Sequence, residues 1–249
     1  MKTYIVNLAR STDRKEYMEK LLQPYDFFEA EFVEAVDGRL FSQEEKKQYF
    51  DVKKAFKRYG RECKPGEIGC TLSHQKCYKK LVESSDDYVL ILEDDIALDC
   101  FEKEIFERVE RFISKSVEAT IVLLSGNYWY WGRKKRLGIH NLMSVFDAYG
   151  TFAYVINRKA AQKLLDVPVS FLADDWRYLK ARGIKLMALY PHLINTVIES
   201  EVSSTIFSSH QFDRGMIKSN LSIMNRLCSY WRGGIRHILS LLGKYEKVG

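Results

Sequence analysis

Three consecutive carboxylates, Glu93-Asp94-Asp95, directly follow an uninterrupted apolar run at 88–92. Like charges this close repel one another and are costly to remove from water, so a cation is expected to compensate them. A hard divalent ion, Mn²⁺ or Mg²⁺, that also binds phosphate oxygens is the natural partner for such oxygen ligands. Acids after a strand are also common as turn formers and helix N-caps, so spacing alone leaves both interpretations open.

A second pair of carboxylates, Asp174 and Asp175, comes much later in the chain. Adjacent carboxylates push each other's pKa values apart, which suits one of them to act as a general base. The same pair could instead stabilise the N-terminus of a helix that begins near Trp176, through the helix dipole. On the residues alone the helix interpretation is favoured.

Polar and basic residues follow the first predicted strand, and Arg14 is the candidate there for binding phosphate oxygens. Asn7, Leu8 and Arg10 come at the same strand end, and Asp37 follows the second predicted strand, so all could line one pocket. Arg14 could equally be an ordinary arginine on the surface of a helix.

Two histidines are further candidates. His74 comes seven residues after Glu67, so both would face the same side of one helix, although a buried, hydrogen-bonded histidine is the commoner case. His192 follows a predicted strand and is a candidate metal ligand on its position alone.

The run Tyr128-Trp129-Tyr130-Trp131 is unusually aromatic and follows Ser125-Gly126. Aromatic faces are good platforms for sugar rings, so Trp129, Tyr130 and Trp131 are candidates for binding a glycan. Packing of the same side chains in a core or an interface is the alternative.

Strands and helices alternate along the chain. Apolar or alternating runs predict strands at 4–8, 28–36, 88–92, 120–124, 151–156 and 184–189, and helical patterns predict helices from Thr12, at 43–58, from Pro65, at 102–115, at 158–165 and after Asp175. This order predicts an α/β fold with a mostly parallel central sheet in a single Rossmann-like domain. Ligands of such sheets bind beyond the carboxyl ends of the strands, which is where the 93–95 carboxylates are expected.

Several motifs occur in order along residues 2–207. They are Tyr4-Ile5-Val6-Asn7-Leu8 with Asp13-Arg14, Pro65-Gly66-Glu67-Ile68-Gly69-Cys70 with Ser73-His74, Ile91-Leu92-Glu93-Asp94-Asp95-Ile96, Ala153-Tyr154-Val155-Ile156, Asp174-Asp175-Trp176, Tyr190-Pro191 and Ser203-Ser204-Thr205-Ile206. In these motifs the chain resembles glycosyltransferase family 25, the lipopolysaccharide β-galactosyltransferase family. The resemblance implies a GT-A-type fold, a UDP-galactose donor, and inversion at the anomeric carbon to give a β-linkage.

The resemblance also implies roles for individual residues. Glu93-Asp94-Asp95 takes the place of the DxD-like motif, so Asp95 would bind the metal directly, and Glu93 or Asp94 would reach the ribose or a metal-bound water. Glu93 and His192 are further candidate metal ligands, and the base that deprotonates the acceptor would be Asp175 first and Asp174 second. The nucleotide pocket would be lined by Asn7, Leu8, Arg10, Arg14, Asp37 and His74, and the acceptor would contact Trp129, Tyr130 and Trp131.

The C-terminal segment at 213–249 differs in charge from the preceding domain at 1–212. It carries five of the six net positive charges of the chain. From Ile217 onward, apolar residues recur every three or four positions, which predicts an amphipathic helix, bent or broken near Gly233-Gly234. Such a helix is typical of one that lies on an anionic membrane, where lipid-linked acceptors occur; packing on the body or on a second subunit is the alternative.

Composition excludes several classes of protein. With 249 residues, 46% of them hydrophobic and 29% charged, the chain can bury a core, which excludes a disordered protein or a disulfide miniprotein. Because positive charge is concentrated in the tail, no nucleic-acid partner is expected. Cys63, Cys70 and Cys77 are seven residues apart, which does not match a zinc motif, so reduced thiols are expected.

Residues and resemblance together predict an inverting glycosyltransferase that uses Mn²⁺ or Mg²⁺ to move galactose from UDP-galactose to a lipopolysaccharide or lipooligosaccharide acceptor. The apolar stretch near residue 4 is too short for a signal peptide and no run reaches the length of a membrane span, so a cytoplasmic enzyme, peripheral on the inner face of the cytoplasmic membrane, is expected. The alternatives are a non-catalytic nucleotide-sugar or glycan-binding relative, and a related transferase that uses UDP-glucose or a UDP-N-acetylhexosamine.

Overall fold

A computed structural model describes residues 1–98, 102–197 and 220–247. In chain order its elements are β1 (Lys2–Asn7), α1 (Thr12–Leu22), β2 (Glu29–Glu34), α2 (Gln43–Tyr49), α3 (Val52–Tyr59), α4 (Pro65–Glu83), β3 (Tyr88–Glu93), β4 (Ile96–Ala97), α5 (Lys103–Ser114), β5 (Thr120–Leu123), β6 (Asn127–Leu137), β7 (His140–Tyr149), β8 (Ala153–Asn157), α6 (Arg158–Leu165), α7 (Trp176–Ala181), β9 (Lys185–Tyr190), β10 (Asn195–Thr196), α8 (Ile223–Leu241) and β11 (Tyr245–Glu246). A short 3₁₀ helix, Gly38–Leu40, lies between β2 and α2.

Nine of these strands form one sheet, in the order β11-β6-β7-β9-β5-β8-β3-β1-β2. β1 pairs in parallel with β2 and β3, and β5 pairs in parallel with β9. β8 lies between β3 and β5 and runs antiparallel to both, so five of the six strands from β2 to β9 point in the same direction. The predicted α/β class and mostly parallel centre of the sheet are therefore confirmed, whereas the β7, β6 and β11 end is antiparallel.

Helices cover both faces of the sheet, because the central strands are apolar on both sides. In β3, Val89 and Ile91 point into one core and Leu90 and Leu92 into the other. The first core also contains residues of α4, α6 and α7, and the second contains residues of α1 and α5. This burial on both faces explains why the run at 88–92 has no polar alternation.

The structure differs from the predicted elements in two places. The predicted helix at 43–58 is two helices, because Asp51 accepts a hydrogen bond from the backbone of Lys54 and starts α3 as a new helix. The aromatic run at 128–131 lies in β6, which forms a long hairpin with β7 that the sequence did not predict. Lysines and arginines at 133–136 are typical of an exposed loop, but Lys135 and Arg136 pair with β7, and this pairing overrides that tendency.

The predicted C-terminal helix is confirmed as α8, which continues without a break through Gly233-Gly234. Arg236 lies 3.6 Å from Asp147 of β7, and Leu239 is buried, so one side of α8 packs on the body. The other side is exposed and apolar: it carries Ile223, Met224, Leu227, Tyr230, Trp231, Ile238 and Leu241. The start of the predicted segment, the domain boundary at 212/213 and the motif at 203–206 lie outside the described residues.

Among the described helices, none has both the length and the apolar character that crossing a membrane would require.

Candidate active site

A cavity opens at the carboxyl ends of β1, β2 and β3, beside α4. Its lining includes Leu8, Arg10, Arg14, Asp37, Gly38, Arg39, Cys70, Ser73, His74, Glu93, Asp94 and Asp95. The structure thus brings together almost all of the residues predicted for the nucleotide pocket, and Asn7 lies directly behind them in contact with Asp94. The edge of the sheet at which they meet is the one expected for a ligand of a parallel sheet.

Asp94 is buried and both of its carboxylate oxygens are engaged within the protein. Asn7 Nδ2 donates to one oxygen at 2.7 Å, and Arg14 Nη1 donates to the other at 2.7 Å. Burial raises the pKa of Asp94 above its ordinary value, although Arg14 and Asn7 oppose this rise. Asp94 therefore joins β1 and α1 to the end of β3 and holds the Arg14 guanidinium at the cavity.

Asp95 is held less completely than its neighbour. Its Oδ2 lies 3.6 Å from Arg14 Nη1, whereas its Oδ1 is buried and has no hydrogen-bond partner among the described residues. Burial, together with the negative charges of Glu93 and Asp94, raises the pKa of Asp95 to about 7. An unsatisfied carboxylate oxygen beside two other acids fits a hard divalent cation, so Asp95 and Glu93 are suited to hold Mn²⁺ or Mg²⁺.

Glu93 belongs to a chain of buried polar groups. The Thr151 hydroxyl donates to Glu93 Oε1, and His74 Nε2 lies 3.5 Å from the same oxygen. His74 Nδ1 is 2.7 Å from the Tyr154 hydroxyl, which is 2.9 Å from the Tyr78 hydroxyl. Burial raises the pKa of Glu93, but His74 and Thr151 outweigh burial and hold the pKa below its ordinary value.

Two arginines stand at the mouth of the cavity. Arg10 and Arg39 both form ion pairs with Asp37, which also caps the 3₁₀ helix through the backbone of Arg39. A side chain at Gly38 would overlap the carbonyl oxygen of Pro65, so glycine is required where this turn meets α4. The cavity therefore combines cations at its mouth with carboxylates in its interior, an arrangement that suits a metal-bound phosphate group.

The two acids at 174–175 have different environments. Asp175 accepts a hydrogen bond from the Tyr59 hydroxyl at 2.9 Å, lies 3.5 Å from Arg58 and caps α7 through the backbone of Tyr178. Its carboxylate is thus occupied in holding α3 and α7 together. This is the helix-cap role that the residues alone favoured.

Asp174 has fewer partners, and its carboxyl lies close enough to Glu93 for their charges to interact. Burial and the adjacent Asp175 raise its pKa to about 6, while a hydrogen bond from the backbone of Gly150 acts in the opposite direction. A carboxyl with this pKa is ionised at neutral pH yet accepts a proton more readily than an ordinary aspartate. Of the two acids, Asp174 has the environment that suits a general base.

His192 is separate from the cavity. Its Nδ1 lies 3.4 Å from Glu246 Oε1, and its ring packs edge-on against Tyr128 at 5.1 Å between centroids. Burial lowers its pKa to about 4. His192 does not line the cavity, so the structure does not bring this predicted metal ligand to Glu93 and Asp95.

The aromatic run contacts the C-terminal segment. Trp129 Nε1 donates to Ser240 at 2.8 Å and its ring stacks on Tyr245 at 4.6 Å. Tyr130 is buried, and its hydroxyl donates to the Gly243 carbonyl. Trp131 is 47% exposed and packs edge-on against Phe146. Interface packing therefore accounts for Trp129 and Tyr130, whereas Trp131 stays partly exposed with the Lys180 ammonium 5.6 Å from its ring centroid.

Sequence reasoning missed Cys70, Thr151 and Tyr154 as residues of the site. A signal for Cys70 exists in the sequence, since it precedes His74 by four residues in a predicted helix and so shares its face. Thr151 carries no such signal. It reaches Glu93 because β8 is antiparallel to β3, which brings the start of β8 to the carboxyl end of β3.

The cavity and both acid clusters lie within the part of the chain that matches a known family. The model of glycosyltransferase family 25 (LPS biosynthesis protein) matches residues 1–175. The chain belongs to glycosyltransferase family 25. As a member of this family it is a glycosyltransferase, and the family implies a nucleotide-sugar donor and a glycan acceptor.

Family 25 relatives differ widely in source and length. A candidate glycosyltransferase of Acanthamoeba polyphaga mimivirus is 29% identical over 228 residues, which cover 86% of this chain and 68% of that protein. Procollagen galactosyltransferase 2 of Homo sapiens is 25% identical over 221 residues, covering 77% of this chain and 34% of that protein. A glycosyltransferase 25 family member of Anopheles gambiae is 33% identical over 194 residues, covering 71% of this chain and 30% of that protein. This chain thus spans about a third of the length of the human and mosquito relatives.

Proposed function

We propose that this family 25 glycosyltransferase transfers galactose from UDP-galactose to a lipopolysaccharide or lipooligosaccharide acceptor, with inversion and with the help of Mn²⁺ or Mg²⁺. The observation that carries the proposal is the cavity in which the orphaned Asp95 Oδ1 lies beside Glu93 and Arg14. Relatives named procollagen galactosyltransferase support galactose as the sugar, and the family description supports a lipopolysaccharide acceptor.

The donor diphosphate would bind between the cations at the mouth and the carboxylates inside. Asp95 and Glu93 would hold the metal ion, which when bound supplies positive charge to the departing diphosphate. Arg14 is fixed by Asp94 and adds a second, permanent charge toward the same phosphates. Arg10 and Arg39 would attract the donor to the entrance.

Inversion requires a base on the side opposite the leaving diphosphate, and Asp174 is the residue that we assign. Its carboxyl would accept the proton of the attacking acceptor hydroxyl as the new glycosidic bond forms. Gly150 donates to Asp174 and accepts a hydrogen bond from Trp176 at 2.9 Å, so the loop that carries the base is held at two points. Asp175 would position Asp174 by capping α7, and its negative charge raises the pKa of Asp174.

A lipid-linked acceptor would bring the enzyme to a membrane surface, and α8 is the element suited to that contact. Helical periodicity places its exposed apolar side chains within an arc of about 120°. Arg236 holds the opposite side of the helix against Asp147, so the apolar stripe is turned toward solvent, and Trp231 at its edge also contacts Phe146. Such a stripe is typical of helices that lie in the membrane interface.

The first experiment is a transfer assay with UDP-galactose, UDP-glucose and their N-acetyl forms, with Mn²⁺ or with EDTA. The proposal predicts Mn²⁺-dependent turnover of UDP-galactose that falls about 10²- to 10³-fold in Asp95→Asn, because a charge that stabilises the leaving group is lost. Asp51→Asn, which removes a carboxylate from the start of α3 outside the cavity, is the matched control.

Each other outcome of this assay assigns a different function. Preferred turnover of UDP-glucose or of an N-acetylhexosamine donor would replace galactose in the proposal. Binding of UDP-sugars without turnover of any donor would identify a non-catalytic relative. Full activity in EDTA would show that the reaction needs no metal ion.

A further inference from the structure

Sulfur, nitrogen and oxygen ligands converge on the floor of the cavity, beside the carboxylates. Cys70 Sγ, a His74 ring nitrogen and a Glu93 carboxylate oxygen all lie within 4.8 Å of one another. His74 Nε2 and Glu93 Oε1 are 3.5 Å apart, close to the separation of two ligands around one tetrahedral ion with bonds of roughly 2.0–2.1 Å. Cys70 Sγ is the third atom of a candidate three-ligand set.

The backbone fixes these three residues relative to one another. Cys70 and His74 are four residues apart on α4, so both side chains lie on the helix face that points to β3. Glu93 is the last residue of β3. Ligands that come from the middle of a long helix and the end of a central strand are held on rigid elements.

His74 is already oriented as a metal ligand would be. The side chain is fully buried, and its Nδ1 is fixed by the Tyr154 hydroxyl at 2.7 Å. Nε2 is buried without a hydrogen-bond partner among the described residues, and in the tautomer whose Nδ1 donates to Tyr154 it would carry the lone pair that a metal ion needs. A histidine held through one nitrogen with the other directed at a carboxylate is typical of metal sites.

Glu93 is oriented in the same way, since the Thr151 hydroxyl donates to its Oε1. Thr151 Oγ1 also lies 3.9 Å from Cys70 Sγ. The cluster thus contains two ligands with their own supporting hydrogen bonds and a thiol that lines the open cavity, through which an ion could enter.

We propose that Cys70, His74 and Glu93 bind one Zn²⁺ ion, at a site whose donor set differs from the oxygen ligands that Asp95 offers. Thiolate and imidazole favour Zn²⁺ over Mn²⁺ and Mg²⁺, which prefer oxygen ligands. Binding forms a Zn–S bond and releases the thiol proton of Cys70 to solvent. Because all three residues line the cavity, a remaining coordination position would take water or a phosphate oxygen from it. The site shares Glu93 with the Mn²⁺ or Mg²⁺ site of the proposed function, but its test measures Zn²⁺ binding alone, so failure of this site and failure of the proposed function are distinguishable.

The test is a titration of the metal-free full chain with Co²⁺ and then with Zn²⁺. Co²⁺ bound by a thiolate gives a sulfur-to-metal charge-transfer absorption in the near ultraviolet, and Zn²⁺ should displace it at one equivalent. The band should be lost in Cys70→Ser and kept in Cys63→Ser, the same change at a thiol outside the cavity. The band should also be kept in Asp95→Asn, because this change leaves Cys70, His74 and Glu93 in place.

Thr151→Val provides a variant in which all three ligands remain. Zn²⁺ affinity should fall about 10- to 100-fold, because Glu93 loses the hydroxyl that orients it. Alkylation of the unaltered protein, mapped by mass spectrometry, needs no variant, and Zn²⁺ should protect Cys70 more than Cys63. The proposal is wrong if no charge-transfer band forms, if the band persists in folded Cys70→Ser, or if Zn²⁺ leaves Cys70 as reactive as before.

Discussion

The carboxylates around the cavity differ in how fully the protein satisfies them. Asp94 and Asp175 are each held by two side-chain partners and serve to fix other elements. Asp95 and Asp174 are the ones whose pKa values rise to about 7 and about 6. Carboxyls that are buried without full compensation lower the stability of the fold, and such groups are concentrated where ligands bind or protons move.

Asp174 should set the acidic limb of the pH profile. Because its pKa is raised to about 6, the carboxyl is protonated below that pH and cannot accept the acceptor proton. We expect kcat/KM for transfer to rise through pH 6, and Asp174→Asn to lower it by about 10²- to 10⁴-fold at pH 7.5. Asp175→Asn should keep the acidic limb, and an unchanged rate in Asp174→Asn would assign the base elsewhere.

The same substitution should stabilise the fold. The pKa of Asp174 is higher in the folded protein than the ordinary value of 3.8, so its contribution to stability is present below pH 3.8 and is lost as the pH rises through about 6. Asp174→Asn removes this loss, and its Tm should exceed that of the unaltered protein at pH 8 but not near pH 4. Thermal unfolding at both pH values measures the difference. An equal shift at both would show that ionisation of Asp174 is not its cause.

At the scale of elements, the cavity depends on how closely α4 approaches the turn after β2. A side chain at Gly69 would overlap the carbonyl oxygen of Val36 and the backbone nitrogen of Gly38. Both obstacles are backbone atoms, so neither can move as a flexible side chain would. Glycine at 38 and at 69 therefore sets the distance between Asp37 and the α4 residues of the site.

Gly69→Ala should therefore destabilise the protein by about 1–3 kcal/mol in urea unfolding, because α4 must move away from the turn. Nucleotide binding should weaken with it, since Asp37 and His74 would separate. Gly234→Ala is the control: nothing lies within 4 Å of its added carbon, and alanine inside a helix should stabilise α8 by about 0.5–1 kcal/mol. A neutral Gly69→Ala would show that α4 can adjust at no cost.

The sequence predicts the elements whose pattern is strong and local. The apolar run of β3, the start of α4 at Pro65 and the position of Asn7 and Glu93 at strand ends all follow from periodicity and from the geometry of parallel strands. The direction of β8 does not, because alternation in a single strand carries no information about its partners. For that reason Thr151, which orients Glu93, could not be predicted.

The same limit applies to Trp129 and Tyr130. Their aromatic character predicts that they contact a partner, and the sequence alone is equally consistent with a sugar ring and with packing inside the protein. Only the fold reveals that Ser240, Gly243 and Tyr245 occupy them. Long-range packing of this kind is set by the whole chain rather than by local pattern.

At the scale of the whole molecule, the candidate cavity and the exposed stripe of α8 are separate surfaces of one body. Trp231 is 65% exposed and Leu227 60% exposed, although both are large and apolar. Exposed apolar side chains that form a continuous stripe on one helix mark an interaction site more often than scattered ones do. The stripe is the basis of the membrane contact in the proposed function.

Replacing Leu227 and Trp231 together by serine should release the protein from vesicles that contain anionic phospholipid. Each side chain contributes about 1.5–3 kcal/mol when fully buried, so binding should weaken by at least about tenfold. The control replaces Val117 and Ile139, which are 80% and 71% exposed, more than either test residue, but lie outside α8. Co-sedimentation measures both variants, and equal binding of the two would contradict a membrane role for α8.

The short strand β11 has a consequence for how the molecule behaves at high concentration. Tyr245 and Glu246 pair with Trp129 and Tyr128, and thereby cover the backbone hydrogen-bonding groups at one end of β6. A chain shortened before Tyr245 would expose that β-edge together with the ring face of Trp129. Open edges beside aromatic residues pair readily with other copies. Truncated protein should therefore self-associate at the sheet edge, and it would enter a pellet with or without vesicles.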